Sequence, residues 1–91
     1  MAYWRPQAVA DRKNIADYIA RDNPIAAVEL VDLLIETAGR LDANPKLGRV
    51  GRIRGTREWV AHPHYVIFYR TLGAPAHVEI LRILHTSRQW P

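Results

Sequence analysis

The segment His85-Thr86-Ser87-Arg88-Gln89-Trp90-Pro91 puts an imidazole, two hydroxyls, a guanidinium and an indole on a short stretch of chain. An imidazole can give or take a proton near neutral pH. A guanidinium beside it can stabilise charge developing on a phosphoryl group. For Trp90 the alternative is simple packing on a neighbouring sheet. A second set of candidates is the run Lys46, Arg49, Arg52, Arg54 and Arg57, which is interleaved with Gly48, Gly51 and Gly55 and contains no acid between Lys46 and Arg57. Arg52 and Arg54 are two residues apart, so in an extended segment they project to one side. The glycines let the backbone approach whatever the arginines hold. This spacing suits contacts to phosphate, without a sequence-reading signature; a solvated basic loop is the alternative.

Other chemistries find less support. His62 and His64 straddle Pro63, and His77 and His85 lie further on, but no cysteine and no well-spaced carboxylate joins them into a ligand set. No metal or other cofactor is expected. There is no glycine-rich phosphate loop, nucleophile elbow or paired-carboxylate arrangement, and Ser87 has no partner acid, which argues against a hydrolase triad.

These groups must be positioned by the elements around them. Met1–Trp4 reads as a short strand closed by Pro6. From Pro6 to about Arg21, Val9, Ile15 and Ile19 mark an apolar stripe. Asn23-Pro24 supplies a cap and a first-turn proline for a second helix, Pro24 to about Ala43. Val28, Val31, Leu34, Ile35, Ala38 and Leu41 give that helix a core-facing stripe. Two helices joined by about two residues fold back into an antiparallel hairpin. After Asn44-Pro45 the pattern changes to three strand segments, Arg57–Ala61, His64–Thr71 and His77–His85, with corners at His62-Pro63 and Leu72–Ala76. The expected fold is α+β: a single domain, residues 1–91, with a helical hairpin (about 6–43) on a small, mostly antiparallel sheet (about 52–85) and a tail, 86–91.

If Leu72–Ala76 is a simple five-residue turn, Tyr65, Ile67, Tyr69, Leu81 and Ile83 share one face of the last hairpin. Val66, Phe68, Val78, Ile80 and Leu84 share the other, with His64, Arg70 and Arg82 among them. Both faces are apolar at their centres, so one needs a cover besides the helices, for which a partner chain is a candidate.

Composition narrows the class. Ninety-one residues support one modest core. Hydrophobic content of 48% with 24% charge is that of a globular protein. The absence of cysteine fits a reducing compartment, and no apolar run is long enough for a signal peptide or a membrane span, so a cytoplasmic protein is expected. The net charge of +4 is unevenly spread. Residues 1–45 carry seven acids and five bases, whereas residues 46–91 carry eight bases against Glu58 and Glu79. Eleven of the thirteen cations are arginine, which favours planar recognition of phosphate or carboxylate.

DNPIAA at the helix bend, then PKLGRVGRIRGTREW, HPHYVIFYRT and VEILRILHTSRQWP, together resemble the RelE/ParE toxin family of bacterial type II toxin–antitoxin systems, and the likeness covers nearly the whole chain. The resemblance implies a helical hairpin on a curved antiparallel sheet. It also implies growth inhibition, a link to plasmid stabilisation, and a cognate small acidic antitoxin that forms a hetero-oligomer with the toxin.

The RelE-like branch cuts mRNA on the ribosome and places an arginine directly after the aromatic that opens the penultimate strand. Here Tyr65 is followed by Val66. The accompanying lysine pair also has no match, and Arg52 and Arg54 replace its charge but, staying protonated, cannot act as a base. The ParE-like branch poisons DNA gyrase and ends its last strand in Arg-x-Leu-His followed by an arginine, a pattern met by Arg82, Leu84, His85 and Arg88. The resemblance therefore favours a gyrase poison, with Arg82, His85, Arg88 and Trp90 touching the target. Lys46, Arg49, Arg52, Arg54, Arg57, Val66, Phe68 and Ile80 are then the expected antitoxin surface. The alternatives are an mRNA endoribonuclease using Arg57, His85 and Arg88, and a non-toxic antitoxin-binding module.

Overall fold

The computed structural model describes residues 1–90; Pro91, the end of the expected tail, lies outside the described residues. The elements are β1 (Tyr3–Trp4), α1 (Pro6–Ala20), α2 (Pro24–Ala43), a short 3-10 turn (Pro45–Leu47), β2 (Arg49–Val50), β3 (Thr56–His62), β4 (Tyr65–Leu72) and β5 (His77–His85). The sheet runs β1-β5-β4-β3-β2, antiparallel throughout except that β1 lies parallel to β5. The helical hairpin packs on one face of it.

Local chemistry explains the hairpin. The Asn23 side chain accepts the Ala26 N–H at 3.0 Å and Pro24 opens α2, so two donors that a helix start leaves orphaned are dealt with by the sequence itself. The apolar stripes are those expected only in part: Leu34, Ala38 and Leu41 are buried and Ile15 and Ile19 pack against the core, but three of the expected residues face out. Ala8, Leu30, Leu34, Ala38 and Leu41 form the core with Tyr65, Ile67, Tyr69, Val78, Ile80 and Ile83, while Val9, Val28 and Ile35 are exposed. Small residues decide this. Ala8, Ala27 and Ala38 are buried, letting helix backbones approach the sheet and each other where a β-branched side chain would hold them apart.

The last hairpin also departs from the simple register. Its loop is Gly73–Ala76, and a β-bulge interrupts β5: Phe68 faces Arg82 but Tyr69 faces Ile80, leaving Leu81 without its own partner. One extra residue reverses the side-chain alternation. Val78 and Ile80 therefore point into the helix-covered core, where both are fully buried, and Leu81 no longer belongs to that core. The expectation that Ile80 lies on an open face for a partner is corrected by the bulge.

The second face is covered, in part, by the chain itself. Val66, Phe68 and Leu84 form a separate buried cluster against Trp90. The Thr86 N–H reaches the His64 carbonyl at 2.9 Å, and the Arg52 guanidinium donates to Gln89 Oε1 at 3.0 Å. The Trp90 and Phe68 rings lie 5.4 Å apart. Val66 and Phe68, expected as an exposed antitoxin surface, are thus beneath the tail.

β1 pairs only with Glu79 and Ile80, so the backbone of β5 on either side would be left open. Two helical carboxylates close it. Asp42 Oδ1 accepts the Val78 N–H at 2.8 Å, and Asp11 Oδ2 accepts the Ile83 N–H at 3.0 Å while binding Arg82 in a two-pronged pair. The acidic half of the chain supplies the acceptors that the sheet edge lacks.

Candidate functional site

The face of the sheet turned away from the helices is an arginine field divided by one tryptophan. Arg49, Arg52 and Arg54 come from β2 and the turn after it, Arg70 from β4, Arg82 from β5 and Arg88 from the tail. The turn can be this tight because Gly55 has φ +83°, a conformation costly for any residue with a Cβ. Trp90 stands between two hollows. The larger, about 430 Å³, is lined by Arg5, Arg54, Arg70 and Arg82, and the smaller, about 230 Å³, by Arg49, Arg52, Glu58 and Arg88.

Three of these guanidiniums are ion-paired within the molecule, and Arg52 is held by Gln89. Arg49 meets Glu58 at 2.8 Å, Arg70 meets Glu79 at 2.6 Å, and Arg82 meets Asp11 at 2.7 Å. Its hydrogen bonds to the Asp11 carboxylate hold the Arg82 guanidinium even more firmly protonated than usual. Arg57 faces the opposite way: it pairs across from Tyr69, and its Nη1 donates to the Gly48 carbonyl at 2.8 Å. Lys46 sits exposed on the 3-10 turn and lines neither hollow.

A third hollow, at the His85 end, brings together three of the expected target-binding residues, Arg82, His85 and Arg88, along with Asp11 and Tyr65. Trp90 is not in it, and neither is Arg57. Around its rim the His64 and His85 rings stack at 5.6 Å and the Tyr65 ring meets His85 edge-on at 5.7 Å. His85 Nδ1 accepts the Ser87 N–H at 3.1 Å. A backbone N–H can only donate, so this contact, with Ser87 Oγ 2.9 Å from the same nitrogen, favours the neutral tautomer protonated on Nε2. In that form His85 offers a donor, not a base, at its remaining nitrogen. Burial pushes the Tyr65 and Tyr69 phenols above their ordinary value, so neither supplies a phenolate near neutral pH. Among the described residues no group of three or more histidines and carboxylates is placed to hold a metal ion.

Sequence reasoning missed Arg5, Arg70 and Asp11. Arg5 lies in the half of the chain read as acidic, and its place beside Arg54 is set by β1 docking on β5. Asp11 meets Arg82 across 71 positions, a pairing no local pattern announces.

Residues 2–90 match the family model described as ParE toxin of type II toxin–antitoxin system, parDE. "Putative toxin Y4kP" of Sinorhizobium fredii is 38% identical over 89 residues, 97% of this chain and 90% of that protein. "Toxin RelE2" of Caulobacter vibrioides is 38% identical over 85 residues, 93% of each. Among solved structures, that of the chromosomal ParDE toxin–antitoxin system from P. aeruginosa superposes with a TM-score of 0.79 at 26% identity, covering 92% of both chains.

Proposed function

The chain belongs to the ParE toxin family of type II toxin–antitoxin systems, and from that premise we propose that it arrests growth by binding DNA gyrase and stabilising the cleaved-DNA state. It acts as a binding poison and cuts no substrate itself. Arg82, His85, Arg88 and Trp90 form the target-contacting surface.

The observation that carries this reading is the company His85 keeps. Hydrolysis of a phosphodiester calls for a base, an acid and a cation not already neutralised, held around one reacting centre. His85 has its Nδ1 occupied by a backbone donor, Arg82 is bound to Asp11, and Tyr65 is held protonated, so Arg88 is a cation at the hollow with no free base beside it among the described residues. Arg57 is absent from the hollow, and the position at which the mRNA-cutting branch carries a cation is the buried Val66. What remains presented is a cationic, aromatic surface suited to recognition. Induction in cells lacking the antitoxin tests this. DNA-damage signalling with translation intact is expected; rapid translation arrest with undamaged DNA would overturn it.

Neutralisation by a cognate antitoxin follows from the family. β2 pairs with Arg57 and Glu58 of β3 and Gly51 bonds Thr56, so β3 from Trp59 onward is an open edge flanked by the exposed Leu47 and Val60. An extended antitoxin segment fits there by strand addition, its acids meeting Arg49, Arg52 and Arg54. The second reading, ribosome-dependent mRNA cleavage, draws on His85 and Arg88 sharing one hollow. Unchanged mRNA cleavage after joint replacement of Arg57, His85 and Arg88 by alanine would remove it.

A further inference from the structure

The larger hollow shares Arg82 and Trp90 with the proposed target-contacting surface, but its Arg5, Arg54 and Arg70 have no part in that surface. We infer that it is a binding site for the phosphate of a nucleotide, with Trp90 as the wall on which the base stacks. Four guanidiniums reach it from four separate segments: Arg5 before α1, Arg54 before β3, Arg70 on β4 and Arg82 on β5. Like charges that converge repel unless something opposes them. Arg70 and Arg82 are opposed inside the molecule by Glu79 and Asp11. Among the described residues, Arg5 and Arg54 have no carboxylate within ion-pair distance and none lines the hollow.

Two unopposed guanidiniums match the dianion of a phosphomonoester better than a single carboxylate. α1 adds to the field, since it starts directly after Arg5 with no side-chain cap and no acid in its first turn. Trp90 is held in place by Phe68 on one side and by the Gln89–Arg52 hydrogen bond. A fixed indole beside free guanidiniums is the pairing that grips a base and its phosphate together. The volume of about 430 Å³ lies in the range of sites for small ligands. The same chemistry is offered by a free mononucleotide and by the phosphorylated end of a single strand.

Calorimetric titration of the purified full chain tests the site with adenosine 5′-monophosphate, adenosine, inorganic phosphate, a 5′-phosphorylated single-stranded oligonucleotide and a polyglutamate peptide. The monophosphate is expected to bind more tightly than adenosine or phosphate. Arg5→Gln and Arg54→Gln should each weaken it about tenfold, the effect of losing one charge-assisted contact, whereas Arg40→Gln, on the far end of α2, should change nothing. Trp90→Leu should weaken the monophosphate and spare inorganic phosphate. An oligonucleotide that competes and binds more tightly identifies a strand end as the source; one that does not identifies the free nucleotide. No binding of the monophosphate overturns the proposal. So does binding indifferent to both arginine replacements, or occupation by polyglutamate alone. Arg5 and Arg54 are exposed, so their replacements keep the test valid if Trp90→Leu fails to fold. Gyrase takes no part in the titration, and Arg5→Gln and Arg54→Gln lie outside the proposed target-contacting surface, so their failure would leave the reading of the tail standing.

Discussion

Replacing Tyr69 by phenylalanine should destabilise the protein by more than any other loss of a single oxygen. Tyr69 is fully buried in the core, yet its hydroxyl donates to the Pro45 carbonyl at 2.7 Å and accepts the Gly48 N–H at 2.8 Å. It is the clasp between the end of the helical hairpin and the strand that carries Arg49. Phenylalanine preserves the packing and leaves both backbone groups without their partner. Gly48 is buried, so its N–H should cost the full penalty of an unsatisfied donor, about 1–3 kcal/mol, while the half-buried Pro45 carbonyl recovers part of its loss from water. The sum is about 2–3 kcal/mol, which for a domain of this size lowers Tm by about 10–20 °C. Urea unfolding with an unchanged slope would assign the loss to the native contacts. Tyr65→Phe is the control, because no hydrogen bond to the Tyr65 hydroxyl is seen among the described residues, and it should change stability by less than about 0.5 kcal/mol. A Tyr69→Phe protein as stable as the parent would refute the reasoning.

The same clasp predicts that Gly48→Ala is severely destabilising, because an added Cβ would meet the Tyr69 hydroxyl and, at 2.7 Å, the Glu58 carbonyl oxygen. Gly39→Ala, in an open helical position, should instead stabilise by about 0.5–1 kcal/mol, and thermal melts of the pair would check both signs. Asp11→Ala should cost about 2 kcal/mol, since it strands the Ile83 N–H and leaves a half-buried Arg82 charge unpaired. Adding Arg82→Met should recover part of that in urea unfolding, and a double variant no better than the single would count against it. Asp42 is held below its usual 3.8 by the Val78 N–H and the amino terminus. A depressed carboxylate stabilises the fold above its unfolded value and ceases to do so as pH falls through the folded one. The stability gap between the parent and Asp42→Asn should therefore be full at neutral pH and close below about pH 4.

What the sequence makes legible here is whatever is decided locally. Asn23-Pro24 and Asn44-Pro45 mark the bounds of α2 because capping and proline geometry act over three or four residues. The apolar alternation in Tyr65–Leu72 and His77–His85 announces strands for the same reason. The faces of those strands are another matter. Leu81 is skipped only because β4 and β5 pair as they do, so the burial of Ile80 and Val78 depends on a partner strand that local alternation does not specify. The helix faces are set by where Ala8, Ala27 and Ala38 allow close approach, and large apolar residues such as Val28 and Ile35 mislead for being large. At the candidate site, Arg82, His85 and Arg88 are near in sequence and gather in space. Arg57 is also near Arg54 in sequence, yet strand alternation turns it to the other side of the sheet. The return of the tail across Phe68, and the gathering of Arg5 and Arg54 at one hollow, are tertiary facts with no local signature.

The most direct test of toxicity by binding is to mix the purified chain with purified gyrase and supercoiled plasmid and to measure protein-linked cleaved DNA. Accumulation of cleaved DNA is predicted, reduced at least tenfold by joint Arg88→Ala and Trp90→Ala replacement and abolished by the cognate antitoxin. Gyrase that turns over normally, with mRNA cut at codon positions when ribosomes are supplied instead, would contradict it.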